Sequence, residues 1–334
     1  IFVGLNQHGL VSDFFFPFVG SKNHVRGLVH KIGIWQDGHF SWLDSGEWNI
    51  EIDLCKETFV GIMKCYHKNT NLELIFKNVV YNEKNIFIRE VEVINHTEHV
   101  KNVKLFFHQT FSVYDMPQVG TAYYDPTRNT LVHYEGKTVF VVYGETSNIP
   151  FEDYTIGLHG VEGREGTYKD AEDGVLSKNP IEHGRIDSTL SIALTLHKQE
   201  RKFAYYWITV GETKGEAFEL HDYVKYRSPK PFIESTSKFW KAWLNRQDYL
   251  KCYITEDRQM ELFKKSLFYM RGNIDNRGAV IASGDSDMLQ HGRDTYSYMW
   301  PRDGALTVMT LLMVGEDNVS KHFFKFCNDV LEPD

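Results

Sequence analysis

Ile86-Phe87-Ile88-Arg89-Glu90-Val91-Glu92-Val93-Ile94 is short and rich in β-branched and aromatic residues, and its Val91-Glu92-Val93 alternates apolar and polar as a half-buried strand does. Runs of the same kind recur at 103–111, 138–143 and 203–210. Across residues 1–211 such runs are broken by Gly, Asn, Asp and Pro at intervals of roughly 8–12 residues, the rhythm of an antiparallel β protein. Gln36-Asp37-Gly38 and Tyr134-Glu135-Gly136-Lys137 stand where hairpins should reverse. So many strand-like runs in succession predict a large sandwich of two packed antiparallel sheets.

The pattern changes after residue 211. Residues 214–230 turn polar, and Ser228-Pro229-Lys230-Pro231 carries two prolines that disfavour regular structure, which places a boundary there. Beyond it the spacing predicts four helices. The first covers 233–249, with Phe239, Trp240 and Trp243 on one face, and links the two parts. The second covers 256–274, capped by Thr255, with Phe263, Leu267, Met270 and Ile274 as its buried stripe. The third starts near Asp303, is lined by Leu306, Met309 and Met313, and stops at Gly315; the fourth starts near Asp317 with Val319, Phe323, Phe326 and Val330 buried. The organisation is β first and α second: residues 1–228 a sandwich, 229–252 a linker helix, and 253–334 the start of a helical domain that looks cut short.

At 334 residues the chain exceeds one ordinary hydrophobic core, and its 42% apolar and 25% charged residues are those of a globular protein. A net charge of −8 and a pI near 6.0 give no electrostatic reason to bind nucleic acid or an anionic membrane. Cys55, Cys65, Cys252 and Cys327 show no metal-finger spacing and are too sparse for a disulfide scaffold, so free thiols are expected. No signal peptide opens the chain, which points to the cytoplasm, although Ile1 begins in mid-pattern as a trimmed segment would. Nothing in the sequence indicates an oligomeric state or a cofactor.

The densest polar and aromatic stretch is 279–303, containing Asp285, Asp287, Gln290, His291, Arg293, Asp294, Tyr296, Tyr298, Trp300, Arg302 and Asp303. A loop of this length between helices is more often functional than idle. Sugars need aromatic rings for their C–H faces and planar or bidentate groups for pairs of hydroxyls, and Tyr296, Trp300, Arg302 and Asp303 supply both within eight positions. On residue types alone an Arg302–Asp303 ion pair, with the aromatics in a core, accounts for the stretch equally well. Asp285 and Asp287 read as caps or turn formers.

The order of residues breaks that tie. Arg293-Asp294-Thr295-Tyr296-Ser297-Tyr298-Met299-Trp300-Pro301-Arg302-Asp303-Gly304-Ala305-Leu306 is similar to the signature of family 15 glycoside hydrolases, the glucoamylase and glucodextranase group. A second stretch, Asp13-Phe14-Phe15-Phe16-Pro17-Phe18-Val19-Gly20 with Asn23-His24-Val25, Gly33-Ile34-Trp35 and Phe40-Ser41-Trp42-Leu43, resembles the start of the sandwich domain in bacterial and archaeal members. The resemblance implies a super-β-sandwich, a linker helix and the first helices of an (α/α)6 barrel. It assigns Tyr296, Trp300, Arg302 and Asp303 to the subsite for the terminal glucose, with Tyr298 and Asp294 as secondary candidates.

The implied activity is an exo-acting α-glucosidase that inverts the anomeric centre with two glutamates, one acid and one base, set about 6.5–9.5 Å apart. No glutamate here sits in a matching context, so both are expected beyond Asp334 and the chain alone is expected to be inactive. Asp294 with Asp303 is the alternative pair within the chain, but the resemblance gives Asp303 to binding. The substrate is expected to be an oligosaccharide or α-glucan, with α-1,4, α-1,6 and trehalose linkages all open. Two other functions fit: a glycoside phosphorylase, marked by dependence on phosphate, and non-enzymatic carbohydrate binding by the sandwich. No metal-ligand loop of recognisable spacing is present.

Overall fold

The computed structural model describes residues 1–112, 120–245, 254–284 and 296–331. The run at 86–94 is the strand β9 (Ile86–Asn95), and those at 103–111, 138–143 and 203–210 are β10 (Lys101–Thr110), β13 (Thr138–Thr146) and β18 (Arg201–Gly211). One large antiparallel sheet runs β16 (Ile181–Gly184), β11 (Gly120–Asp125), β12 (Thr130–Glu135), β13, β18, β9, β8 (Leu72–Val80), β7 (Gly61–His67), β6 (Trp48–Leu54), with β14 (Ile149–Pro150) paired to β13. A second sheet runs β15 (Asp153–Leu158), β17 (Ile186–Leu196), β10, β4 (Ile32–Gln36), β5 (His39–Trp42). The expectation of two sheets is incomplete: β1 (Phe2–Leu5), β2 (Val11–Phe16) and β3 (Lys22–Asn23) form a third, small one. Both anticipated hairpins are present. Asp37 and Gly38 take φ of 49° and 92° between β4 and β5, and Gly136, at 56°, turns β12 into β13.

The two large sheets face each other across the main core, where Phe107 stacks on Tyr206 with ring centroids 4.5 Å apart and Phe111 on Phe140 at 4.1 Å. Their outer faces are covered too. Val132, Val139 and Val141 lie under Ala217 and Phe218, while Phe106 with Trp35, Phe40 and Trp42 lies under Ala171 and Leu176. Strands buried on both faces lose strict alternation of burial, and in β9 every residue but Glu92 is buried.

The polar stretch 214–230 is a correction. It is helix α1 (Lys214–Arg227), and Ser228 alone separates it from α2 (Pro229–Asn245). Thr213 caps α1 by accepting the Glu216 N–H at 3.1 Å, and the Glu216 carboxylate accepts the Glu212 N–H at 2.9 Å. Ala217, Leu220, His221 and Val224 form its buried stripe, and counting His221 as polar hides that stripe in the sequence. His221 is buried because its Nδ1 accepts the indole N–H of Trp207. The two prolines open α2, since the first turn of a helix has no intrahelical use for their missing N–H groups. Thr213→Ala is expected to cost about 1 kcal/mol, read as a lower urea midpoint, and Thr213→Ser to restore it.

Helix α2 spans two cores. Phe232 and Ile233 belong to the sandwich core, while Trp243 and Leu244 join a second core with Leu267, Phe268, Ile274, Val280, Val308, Leu311 and Phe323. Helix α3 (Asp257–Gly272) takes Glu256 as its N-cap, not Thr255. Helix α4 (Pro301–Met313) buries Val308 and Leu311, so the expected lining of Leu306, Met309 and Met313 is the exposed face. In α5 (Asp317–Leu331) Val319 and Phe323 are buried, Phe326 partly so, and Val330 is exposed. The observed stripes of α4 and α5 differ from the expected ones because both helices carry apolar residues on more than one face. The described helices are too few to show an (α/α)6 barrel. Cys55, Cys65 and Cys327 are free thiols, and Cys252 lies outside the described residues.

Candidate functional site

The geometry begins at the end of α3. There the Asp275 carboxylate accepts the backbone N–H groups of Arg277, Gly278 and Ala279 at 2.7, 2.8 and 3.0 Å, folding the chain into a tight turn. Gly278 completes the turn at a φ of +105°, pressed so closely on the backbone of His322 that a β-carbon would lie 2.3 Å from its carbonyl. The chain leaves this turn as an extended segment, and Ile281 pairs antiparallel with Met299. The Ala282 N–H donates to the Tyr298 carbonyl and the Ser283 N–H to the Tyr296 carbonyl, each at 3.1 Å.

Burial alternates along residues 296–300, with positions 296, 298 and 300 exposed and positions 297 and 299 partly buried. Met299 turns toward the helical core, while Tyr296, Tyr298 and Trp300 face solvent with 55%, 51% and 48% of their surface exposed. Trp300 is the N-cap of α4 and Pro301 its first residue, which sets Arg302 and Asp303 in the first turn. Arg302 Nε lies 3.4 Å from Asp303 Oδ1, with both side chains open to solvent. Three half-exposed rings thus precede, in the chain, a solvent-facing guanidinium and carboxylate.

The other resembling stretch backs this segment. The Arg277 guanidinium lies 3.6 Å from the Phe18 ring centroid. Gly20, at a φ of +78°, abuts Ile281 and the Ser297 carbonyl, and Gly284 abuts the Phe2 ring. Phe18 and Gly20 thus support residues 277–284 and 296–299 from the sandwich side.

Tyr296, Trp300, Arg302 and Asp303 are all open to solvent within eight positions of the chain. An aromatic core is not formed by Tyr296 and Trp300, while the Arg302–Asp303 contact exists but is solvent-facing and weakly stabilising. Tyr298, a secondary candidate in the sequence, is exposed like Tyr296 and Trp300, as the i, i+2, i+4 spacing of the three rings suggests. Asp285, Asp287, Gln290, His291, Arg293 and Asp294 lie outside the described residues. Among the described residues of 279–303 the only carboxylate is Asp303, whereas glycoside hydrolysis needs two.

No protein-family model matches the chain. Over 337 aligned residues it is 21% identical to an uncharacterized glycosyl hydrolase of Methanocaldococcus jannaschii, an alignment that takes in 99% of this chain and 52% of that protein. The chain therefore spans about half the length of the curated relative it matches. Its fold is similar to that of a bacterial glucoamylase crystallised with acarbose, with a TM-score of 0.78 over 97% of this chain and 47% of the other at 14% identity. The chain is glycosyl hydrolase-like in sequence and shares the fold of about half of that glucoamylase.

Proposed function

We propose that this chain is the sugar-holding part of an exo-acting α-glucosidase of the glucoamylase type, which removes terminal α-linked glucose from maltooligosaccharides or related α-glucans with inversion. The observation that carries the proposal is the solvent-exposed run of Tyr296, Tyr298 and Trp300 followed by Arg302 and Asp303. Rings of this kind stack on the C–H faces of a pyranose, and the guanidinium and carboxylate bind adjacent hydroxyls. The likeness in fold to a bacterial glucoamylase and in sequence to a glycosyl hydrolase supports it.

In this reading residues 1–228 form the sandwich domain, 229–252 the linker and 253–334 the opening of an (α/α)6 barrel, and the acid and base glutamates lie beyond Asp334. Packing of α2 into both cores supports the linker role. The exposed apolar side chains of Leu306 and Met309 on α4 suit a surface that further barrel helices cover. The 334-residue chain is expected to release no glucose from maltooligosaccharides, and a polypeptide extended through the barrel to release it without phosphate. Turnover by the chain alone would displace the acid and base from their assigned position, and dependence on phosphate would make the enzyme a phosphorylase. In the extended protein Arg302→Ala is expected to lower kcat/KM by about ten- to a hundredfold, the loss of a charge-assisted hydrogen bond.

A sugar-binding role for the sandwich itself has a groove beside Tyr123, Tyr134 and Lys137 in its favour. The Lys214 ammonium, however, lies 5.1 Å from the Tyr123 ring centroid and occupies that stacking face.

A further inference from the structure

We propose a zinc-class metal site at the edge of the sandwich, formed by His39, Glu47 and His67. These residues are 8 and 20 positions apart and belong to different sheets. His39 opens β5 in the second sheet, Glu47 sits in the turn that leads to β6, and His67 ends β7 in the large sheet. Strand pairing sets Trp48 directly opposite His67, which brings Glu47 to the histidine.

The donor atoms converge. Glu47 Oε2 lies 3.1 Å from His39 Nε2 and 3.4 Å from His67 Nε2, and the three ligand atoms all lie within 4.8 Å of one another. Zinc–donor distances of about 2.0–2.1 Å place neighbouring donors of a tetrahedral site roughly 3.3 Å apart. Those two separations bracket that value, and the exposed His39 ring needs only to swing inward for the third.

The surroundings hold the ligands as a metal site requires. His67 is buried, its ring edge-on to Trp48 with centroids 4.9 Å apart, and its Nδ1 lies 3.1 Å from the Thr70 hydroxyl. With Nδ1–H donating to that oxygen, Nε2 presents its lone pair toward Glu47. Trp48 is itself fixed by its indole N–H donating to Ser41 Oγ in β5, and the Ser45 hydroxyl donates to Glu47 Oε1 at 3.2 Å. Two imidazoles and one carboxylate suit zinc and its first-row neighbours better than calcium or magnesium, which favour all-oxygen sites. With three protein ligands and an open fourth position, the ion would clip the β4–β5 hairpin to the edge of the large sheet.

The test uses the tag-free 334-residue chain after chelator treatment, titrated with zinc, cobalt(II) and calcium. Expected are one equivalent of zinc bound, the visible bands of four-coordinate cobalt, no response to calcium, and a thermal midpoint that rises with zinc. His39→Ala, at an exposed position, is expected to weaken zinc binding on the order of a hundredfold and to abolish the cobalt bands, and His67→Ala to do the same. Zinc binding left unchanged by His39→Ala, the absence of cobalt bands in the parent chain, or preference for calcium overturns the site.

Discussion

Between about pH 7 and about pH 5 the urea midpoint of this protein is expected to fall steeply, because four buried histidines must take up protons when the sandwich unfolds. Burial pushes the imidazoles of His30 and His133 down to about 3 and those of His24 and His221 down to about 4. His30 and His24 are held through Nε2 by the Thr110 and Phe16 carbonyls, at 2.9 and 3.0 Å, and His133 Nε2 lies 2.7 Å from the Ser188 hydroxyl. The Nδ1 atoms of His30 and His133 have no hydrogen-bond partner among the described residues, so a second proton there would be both charged and unsatisfied.

Lowered folded-state values mean that the unfolded chain binds more protons below its own value near 6.5, so stability is present above that pH and drains away as pH falls toward the folded values. Each histidine accounts for about 2 kcal/mol between pH 7 and pH 5, and the four together for about 8, against a typical domain stability of 5–15 kcal/mol. Asp187 extends the effect at the acid end. Burial alone would raise its carboxyl, but the His108 imidazole at 3.0 Å and the Thr167 N–H at 2.7 Å hold it below the usual range, a stabilisation lost as pH falls below about 4. Urea midpoints by circular dichroism at three pH values measure the slope, which corresponds to about four protons taken up near pH 5. His30→Gln, which keeps a donor for the Thr110 carbonyl but cannot titrate, is expected to remove about one of them. A midpoint flat over this range would show that these imidazoles already carry their protons in the native state.

None of that proton load is legible in the sequence, where His24, His30, His133 and His221 are scattered polar letters. They are buried because strands distant in the chain close over them, and only the packed sheets give that information. The strands themselves were legible, since β-branched runs and turn residues are local signals: β9, β10, β13 and β18 fall within a few residues of their expected ends. Helix α1 is hidden although Thr213-Lys214-Gly215-Glu216 spells a capping box, because prolines at 229 and 231 read as breakers when they open the next helix. In the candidate site the aromatic spacing was in the sequence. The pairing of Ile281 with Met299, which turns Met299 to the helical core and leaves Tyr298 exposed, was not. The His39, Glu47 and His67 cluster illustrates the same limit, because only strand register and the approach of two sheets unite it.

Gly20→Ala is expected to weaken sugar binding by about tenfold while leaving the sandwich folded, the loss of roughly one aromatic contact when the segment that carries the rings is displaced. A β-carbon at residue 20 would lie 2.3 Å from Ile281 Cγ2 and 2.8 Å from the Ser297 carbonyl oxygen. Ile281 is buried and Ser297 O is backbone, so neither yields cheaply, and the segment carrying Tyr296, Tyr298 and Trp300 must move outward. Part of any stability loss comes from the backbone alone, because a φ of +78° costs an alanine about 1–2 kcal/mol. Gly38→Ala separates the two effects. Gly38 has a φ of +92° with no atom within 4 Å of its would-be β-carbon, so it carries the backbone penalty without the collision. Both variants are expected to lower the thermal midpoint, but only Gly20→Ala to reduce calorimetric binding of maltooligosaccharides by the barrel-extended protein and to shift the emission of the half-exposed Trp300. Equal losses of binding in the two variants would mean that the sandwich supports this segment through stability alone. A loss confined to Gly20→Ala makes the Phe16–Gly20 loop part of the binding site's scaffold, and explains physically why the two stretches of sequence that resemble one family lie nearly three hundred residues apart in the chain and in contact in the fold.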